Sequence, residues 1–244
     1  MDKAVFSRSV ISIIEEINAT QEPAIKQAGS VIKNSIEAGG VLHAFSAGHS
    51  HMMVEELFYR AGGLVPVNPI FDPNTMLHYG GRRSTGFERL PGYAKTILDA
   101  VETRPGEPII VVSHSGINVL PVELALLAGE RGLQVIAITS KTISSQLESR
   151  VPSKEHLYDA AQIVIDNCIR ENEMAVVYDE EKHRVGAYST VITAYIIQKL
   201  VIEVAYQFVQ DGEKPPIFSS ANLPGGDEWN AALINKYNAR VRLL

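Results

Sequence analysis

One strand–turn–helix segment in the middle of the chain constrains the fold more than any other feature. Five apolar and mainly β-branched residues, 108–112, predict a buried strand. Ser113, Ser115 and Gly116 follow at once, and a helical pattern runs from about residue 118 to 131. A strand, a small polar turn and a helix start present unpaired N–H groups with partial positive charge. The segment therefore predicts a site for a phosphate-bearing small molecule.

Composition limits the partners of such a chain. The chain has 244 residues, 45% hydrophobic and 20% charged, which suits one globular domain or one large domain with an appendage. The formal net charge of −6 disfavours general DNA or RNA binding, which needs a basic face. A phosphate site is compatible with this charge, because backbone amides and hydroxyls bind anions without a net positive protein. We therefore predict no nucleic-acid partner.

Cysteine usage and hydropathy predict a cytoplasmic protein. Cys168 is the single cysteine, so it forms neither an internal disulfide nor a CxxC cluster, and we expect a core thiol. The first residues carry charges and lack the apolar core of a signal peptide. The most apolar stretch, 188–209, contains Gln198, Lys199 and Glu203, which are costly at a bilayer centre. We predict a buried core helix there and no membrane partner.

Strand and helix patterns alternate along most of the chain. Apolar repeats at helical spacing predict helices at 3–19, from about Pro23 to Gly39, and at 51–61, 92–103, 118–131 and 188–210. Short apolar runs predict five strands, at 41–45, 64–67, 108–112, 134–139 and 161–165. The alternation predicts an α/β fold, with a five-stranded parallel sheet covered by helices on both faces as a three-layer αβα sandwich.

Two segments lie outside this alternation. Residues 68–91 form a long irregular stretch, and we predict a lid or a loop that crosses to another subunit, because long loops without secondary structure are unusual unless they have a function. Residues 211–244 begin with two prolines and end in a predicted short helix at 227–238. We expect one domain over 1–210 and a C-terminal extension, 211–244, that packs on it or on a neighbouring subunit.

Two turns of similar composition follow the first and third predicted strands. The first contains Ser46, Gly48, His49 and Ser50, and the second is the serine turn described above. Ligands of doubly wound sheets bind at the carboxyl ends of the strands, where the strand order reverses. One such turn alone is weak evidence, since Ser and Gly are common helix caps. The matched pair predicts that both turns converge on one phosphosugar.

These turns resemble those of sugar isomerase (SIS) domains. Residues 113–118, SHSGIN, are similar to the family's S-x-S-G-x-T signature, and 46–50, SAGHS, resemble its G-x-G-x-S turn with Ser46 replacing the first glycine. The strand 134–139 matches the family's apolar strand that closes in Thr or Ser, and 184–190 resemble the polar start of its last long helix. The resemblance covers roughly residues 5–210. The helical pair at the N-terminus and the single-domain size are most similar to the phosphoheptose-isomerase-like branch.

The resemblance implies a flavodoxin-like fold that binds phosphosugars, usually as a homodimer or homotetramer. Carried over by position, it implies substrate contacts from both turns and from the end of the fourth strand, at Ser46, Gly48, His49, Ser50, Ser113, His114, Ser115, Gly116, Asn118 and Thr139. In this set Ser50, Ser113, Ser115 and Asn118 would hold the phosphate, and His114 would touch the sugar. Asn118 stands where the family has threonine, and its amide also donates hydrogen bonds.

Aldose–ketose isomerisation needs a base next to a carbonyl and a second group that opens the ring or shuttles the proton. Glu55 and Glu56 lie on the predicted helix after the first turn, although heptose isomerases use a glutamate further along it. Those enzymes also use a histidine on the last long helix, which has none here. His78 resembles loop histidines of other sugar-phosphate isomerases, and His183 precedes the last helix. We predict these four side chains as catalytic candidates, although each also fits an ordinary exposed residue.

Histidines His49, His51, His78 and His114 could in principle hold a divalent cation. We found no pair at i, i+4 on a predicted helix with an acid in support, so we predict neither a metal nor a cofactor.

Two functions stay open. One is a sugar-phosphate isomerase, and the other is a non-catalytic phosphosugar sensor or assembly module, which the missing histidine and the Thr-to-Asn change favour. Nucleotide binding is weaker, since neither GxGxxG nor GxxxxGK[ST] is present.

Overall fold

The fold is built on a single parallel sheet. In the computed structural model, which describes residues 2–170 and 174–244, five strands pair in the order β2-β1-β3-β4-β5. They are β1 (Leu42–Ser46), β2 (Val67–Pro69), β3 (Pro108–Val112), β4 (Gln134–Thr139) and β5 (Ile163–Asp166). This is the flavodoxin-like strand order. The predicted α/β class and five-stranded parallel sheet are confirmed.

Helices cover both faces of the sheet. They are α1 (Ala4–Thr20), α2 (Glu22–Glu37), α3 (Met52–Leu57), α4 (Gly81–Glu88), α5 (Tyr93–Asp99), α6 (Val119–Glu130), α7 (Lys141–Ser145), α8 (Ser189–Gln210) and α9 (Gly226–Tyr237). Alternate strand residues feed two cores: Ile110 and Val112 face the side packed by α1, α2, α3 and α8, and Ile109 and Val111 face the side packed by α5 and α6. Burial on both faces explains why these strands are continuous apolar runs in the sequence.

A buried polar network closes the amino-terminal edge of the sheet. Both oxygens of Glu107 accept hydrogen bonds, from the backbone N–H groups of Val41 and Arg104, from His43 Nε2 at 3.0 Å and from Arg240. Burial alone would raise the pKa of Glu107, but these donors outweigh it and lower the pKa from its ordinary 4.5 to about 2. The carboxylate is therefore charged at neutral pH and holds together three parts of the chain: the start of β1, the loop before β3 and the C-terminal extension.

Three predicted elements differ in the structure. The helix predicted at 51–61 is a 3₁₀ turn, Gly48–His51, followed by the short α3, because the chain turns extended at Phe58. The second strand is at Val67–Pro69 and not at 64–67, since Leu64 instead bridges Ile217 of the C-terminal segment. The segment 68–91, predicted to be irregular, contains a 3₁₀ turn and α4. Because α4 contains two glycines and five polar residues, it has no apolar stripe that periodicity could detect.

A hairpin was not predicted at all. Strands β6 (Met174–Val177) and β7 (Arg184–Ala187) pair antiparallel and lead directly into α8. Only Ala175 and Val176 of these eight residues are buried, so the hairpin lacks the continuous apolar runs of the main sheet. It brings the start of α8 to the carboxyl edge of that sheet, next to the two serine turns.

The C-terminal extension packs on the domain of its own chain. The backbone N–H of Val65 donates to Pro216 and that of Phe218 donates to Gly63, and Val241 is fully buried. This segment also supplies Arg240 to the network at the amino edge. The extension therefore contributes to the core of the domain that precedes it.

Helix α8 meets the length and composition of a membrane span, with a mean hydropathy of 1.3 over its most apolar window. About half of that window, 44%, is buried inside the fold, and Ile196, Ile197 and Leu200 are in the core. We interpret α8 as the core helix that the sequence predicted.

The thiol of Cys168 is also buried, which raises its pKa to about 11 and leaves it protonated at neutral pH.

Candidate functional site

The two predicted turns lie side by side where the strand order reverses. Strands β1 and β3 are direct neighbours, with Ser46 in register with Val112, and the chain leaves both strands at the carboxyl edge. Between β1 and β3 the order changes direction, since β2 lies on one side of β1 and β3 on the other. In open α/β sheets this crevice is where ligands bind.

A cleft of about 410 Å³ opens at this position. Four parts of the chain line it: the turn after β1, the end of α4, the turn after β3, and the entry to α8 with its hairpin. The lining residues are Ala47, Gly48, His49, Ser50, Glu88, Ser113, His114, Ser115, Met174, Ala187, Ser189 and Thr190. Six of the ten predicted substrate contacts are in this set, and the volume falls within the range of small-molecule sites.

Gly116 gives the second turn its shape. Its φ of +63° lies in the left-handed region, and an added Cβ would come within 2.7 Å of Thr139 Oγ1 and 3.0 Å of Ser144 Oγ. The Gly116 N–H donates to Ser113 Oγ at 3.2 Å, which fixes the turn from inside. A glycine is therefore needed here for close approach of the backbone to β4.

Two serine hydroxyls remain available in the cleft. Within the part of the chain that the structure describes, neither Ser50 nor Ser115 has a side-chain hydrogen bond, and both are half-buried and line the cleft. Thr190, in the first turn of α8, is also half-buried, lines the cleft and has no side-chain hydrogen bond among the described residues. A hydroxyl that is partly desolvated and unpaired is a ready partner for a phosphate oxygen.

Asn167 orients His114 from below the cleft. Its Oδ1 accepts a hydrogen bond from the Ile169 N–H, so the other atom of the amide is the donor, and Nδ2 lies 3.0 Å from His114 Nδ1. Nδ1 is then the acceptor, and a neutral His114 ring carries its proton on Nε2. Asn167 is buried immediately after β5, and no sequence motif had indicated it.

Asn118 and Glu88 form a second polar group at the cleft. Asn118 Nδ2 donates to Glu88 Oε1 at 2.8 Å, while Arg150 donates to Asn118 Oδ1. Asn118 is therefore engaged with protein partners and does not line the cleft. The resemblance had implied that Asn118 contacts the phosphate. Glu88, at the end of α4, brings a carboxylate into the cleft instead. Sequence analysis missed Glu88 because it lies in the segment predicted to be irregular.

Two predicted substrate contacts are buried in the sheet. Ser46 Oγ donates to Val112 O at 2.6 Å, with 2% of Ser46 exposed. Thr139 is fully buried beneath Gly116, and its Oγ1 donates to His114 O at 3.3 Å. Both hydroxyls hold the strands and turns together and neither residue lines the cleft, so a substrate contact of either one stays a prediction.

None of the four predicted catalytic side chains lines the cleft formed by the described residues. Glu56 is bonded to Arg60 and accepts from Gln198 Nε2 at 2.6 Å. His183 lies in the turn of the β6–β7 hairpin, exposed, with Nδ1 2.6 Å from Asp179. Glu55 and His78 lie together beside the first turn, next to His51. A catalytic role for any of the four stays a prediction.

Comparisons with known proteins agree with this geometry. The sequence profile of the SIS domain matches residues 5–140, more than half of the chain. A UPF0309 protein of Thermoanaerobacter pseudethanolicus is 42% identical over 239 residues, which cover 96% of this chain and 97% of that protein. The match therefore includes both serine turns and the C-terminal extension.

Two solved structures share the fold. A phosphoheptose isomerase from Francisella tularensis superposes with a TM-score of 0.55 at 16% identity, covering 82% of this chain and 94% of that one. The Vibrio vulnificus NanR protein, complexed with ManNAc-6P, gives a TM-score of 0.51 at 11% identity, covering 98% of this chain and 69% of that one. At such identities the likeness shows the fold.

Proposed function

The chain belongs to the SIS-domain family, and from this premise we propose that its carboxyl-edge cleft binds a phosphorylated sugar. The observation that carries the proposal is the pair of unpaired hydroxyls, Ser50 and Ser115, which come from two different turns and line one cleft. The turn after β3 adds the start of α6, whose first N–H groups favour an anion.

The charges in the cleft favour one orientation of the ligand. A phosphate dianion next to the Glu88 carboxylate would be repelled, whereas sugar hydroxyls donate hydrogen bonds to such a group. We therefore expect the phosphate at Ser50, Ser113 and Ser115, and the sugar ring towards Glu88. His114 lies on the same turn as the two serines and is placed to contact the sugar.

Ligand-induced stabilisation tests binding directly. We expect hexose, N-acylhexosamine and heptose phosphates to raise the Tm of the protein, because a ligand that binds only the folded state stabilises it by mass action. The same sugars without phosphate are the matched control, and we expect no shift with them. The proposal fails if no sugar phosphate binds, or if the phosphorylated and unphosphorylated sugars bind equally well.

Glu88 favours a second candidate function, aldose–ketose isomerisation. A base must take a proton from the carbon beside the carbonyl and return it to the neighbouring carbon. Glu88 is a carboxylate in the cleft, held in place by Asn118, so we assign this role to Glu88 in preference to Glu55 or Glu56. The alternative is a sensor that binds the sugar phosphate without converting it.

Turnover measurements separate the enzyme from the sensor. Each sugar phosphate that binds is incubated with the protein and followed for its ketose or aldose isomer. For an isomerase, Glu88→Gln should lower kcat by about 10²- to 10⁴-fold, because the general base is lost. Glu148→Gln, at an exposed site outside the cleft, is the control and should keep full turnover. Binding without any product in the wild-type protein identifies the sensor.

We also propose that the protein is cytoplasmic and forms a homodimer or homotetramer. Support for assembly comes from α8, whose outer face exposes Ile202, Tyr206 and Val209 at helical spacing. Light scattering on the full chain measures the oligomeric state. Ile202→Glu should shift an assembly through this face towards smaller species, and a wild-type monomer would contradict the proposal.

A further inference from the structure

Three side chains next to the first turn form a cluster that the sugar-binding proposal does not use. Ligand atoms of His51, Glu55 and His78 all lie within 4.8 Å of one another. His51 and Glu55 are four residues apart across the 3₁₀ turn and α3, and His78 comes from the loop before α4. Two imidazoles and a carboxylate are a common ligand set for divalent transition metals.

His51 is oriented for metal binding. It is 96% buried, because only 4% of its surface is exposed, and its Nδ1 lies 2.7 Å from Gly48 O. A carbonyl oxygen only accepts, so Nδ1 carries the proton and a neutral ring leaves the Nε2 lone pair facing the cluster. A backbone carbonyl that fixes the histidine tautomer in this way is a frequent outer partner of metal-binding histidines.

The Nε2 atom of His51 has no hydrogen-bond partner among the described residues. Glu55 Oε1 lies 3.3 Å from it, so in the neutral ring a nitrogen lone pair faces a carboxylate oxygen. A cation between the two atoms resolves this repulsion. Tetrahedral bonds of about 2.0–2.2 Å separate two donor atoms by about 3.3–3.6 Å, which matches the observed spacing.

The loop that carries His78 is tied to the turn that carries His51. Thr75 O accepts hydrogen bonds from the Gly48 N–H at 2.9 Å and from Ser84 Oγ at 2.6 Å. Thr75 itself is fully buried. The two histidines, 27 positions apart in the sequence, are therefore held beside each other by backbone contacts that involve none of the three ligands.

We propose that His51, Glu55 and His78 bind one divalent transition-metal ion of the zinc class. Three protein ligands leave the fourth tetrahedral position open for water or for a ligand oxygen. This proposal is independent of sugar binding, since none of the three side chains lines the cleft. The sequence had weighed histidine pairs and had not considered His51 with the acid four residues further on.

Metal titration of the full-length protein tests the site. After treatment with a chelator, we expect calorimetry with Zn²⁺ to give one ion per chain, and Co²⁺ to give the visible absorption of a tetrahedral nitrogen–oxygen site. His78→Ala removes an exposed ligand and should weaken Zn²⁺ binding by at least about 100-fold. Substituting a residue that only hydrogen-bonds to a metal ligand already lowers metal affinity by about 10- to 100-fold, and loss of the ligand itself should cost at least as much.

Two further variants make the result specific. His51→Asn retains a donor for Gly48 O and removes Nε2, and we expect the same loss of binding. His183→Ala is the matched control, because His183 is exposed and also lies within 4 Å of two carboxylates, at 2.6 Å from Asp179 and 3.8 Å from Glu181. It should bind Zn²⁺ like the wild type. The proposal is overturned if the wild type binds no ion, if His78→Ala binds it equally well, or if His183→Ala abolishes binding.

Discussion

The two edges of the central sheet carry clefts of nearly equal volume, yet their polar groups are arranged in opposite ways. The amino edge has a cleft of about 440 Å³ that Glu107 lines, and the carboxyl edge has the cleft of about 410 Å³ with the serine turns. At the amino edge both oxygens of Glu107 are saturated by donors from the protein. At the carboxyl edge Ser50 and Ser115 keep unpaired hydroxyls. Volume does not distinguish the two clefts, whereas polar groups without protein partners do, and they support the binding proposal at the carboxyl edge.

This comparison assigns stability to one edge and recognition to the other. A buried carboxylate that accepts hydrogen bonds from four protein donors is costly to disturb, but it has no remaining capacity for a ligand. A half-buried hydroxyl adds little to folding and can bind a phosphate oxygen. Substitutions at the amino edge should therefore lower stability and leave ligand binding unchanged. Substitutions at the carboxyl edge should weaken ligand binding and leave stability nearly unchanged.

The largest expected effect is at the amino edge. Glu107→Gln places an NH₂ group against donors, because both carboxylate oxygens accept hydrogen bonds, and it leaves Arg240 without its buried counter-charge. We expect a loss of about 3 kcal/mol in the free energy of unfolding, measured with urea. Binding of sugar phosphates by the folded protein should be unchanged.

Glu102→Gln is the matched control for this substitution. Glu102 lies 3.3 Å from Arg240 Nε but is half-exposed, and exposed ion pairs contribute only about 0–1 kcal/mol. The division between the edges is wrong if the two variants lose similar stability, or if folded Glu107→Gln loses sugar-phosphate binding.

Lowering the pH should gradually remove the stabilisation that the charged Glu107 gives to the fold. The pKa of Glu107 is lowered to about 2 in the folded protein from an ordinary 4.5, so its stabilisation is complete above about pH 4.5 and disappears as the pH falls towards 2. Glutamine does not titrate. The difference in unfolding free energy between the wild type and Glu107→Gln should therefore shrink between pH 5 and pH 3. A difference that stays constant over this range would show that the charge of Glu107 is not what stabilises the fold.

At the carboxyl edge the effect should appear in binding. Ser115→Ala removes one unpaired hydroxyl from the cleft, and we expect about tenfold weaker binding of the tightest sugar phosphate, or about 1.4 kcal/mol. The free energy of unfolding should change by less than about 0.5 kcal/mol. Ser145→Ala, at an exposed serine of α7, is the control and should change neither quantity. Unchanged affinity in Ser115→Ala would remove the second turn from the binding site.

The same contrast shows what the sequence could predict. Strands buried on both faces leave continuous apolar runs, so β1, β3 and β4 were located within a residue or two of their bounds. Helix α4 and the β6–β7 hairpin have few buried residues, and no apolar periodicity marks them. Contacts made by those elements, such as Glu88 in the cleft, could not be inferred without the fold.

Residue type and turn composition predicted the location of the cleft, but not the direction of each side chain. Ser46 and Ser50 belong to one short turn, and both were predicted as substrate contacts. In the structure Ser46 is the last residue of β1 and bonds across to β3, whereas Ser50 lies in the 3₁₀ turn and lines the cleft. Direction depends on whether a residue still follows the pleat of a strand, which a sequence motif does not specify.

Ser46→Ala gives the smallest expected effect and separates these two serines. Its hydroxyl donates to Val112 O in a buried position, so the substitution should cost about 1 kcal/mol of unfolding free energy. Affinity for the sugar phosphate should stay within about twofold, whereas Ser50→Ala should lower it about tenfold, or about 1.4 kcal/mol, with little loss of stability. If Ser46→Ala also weakened binding tenfold, its hydroxyl would have to leave Val112 to reach the ligand. The division between a structural and a recognising serine within one turn would then fail.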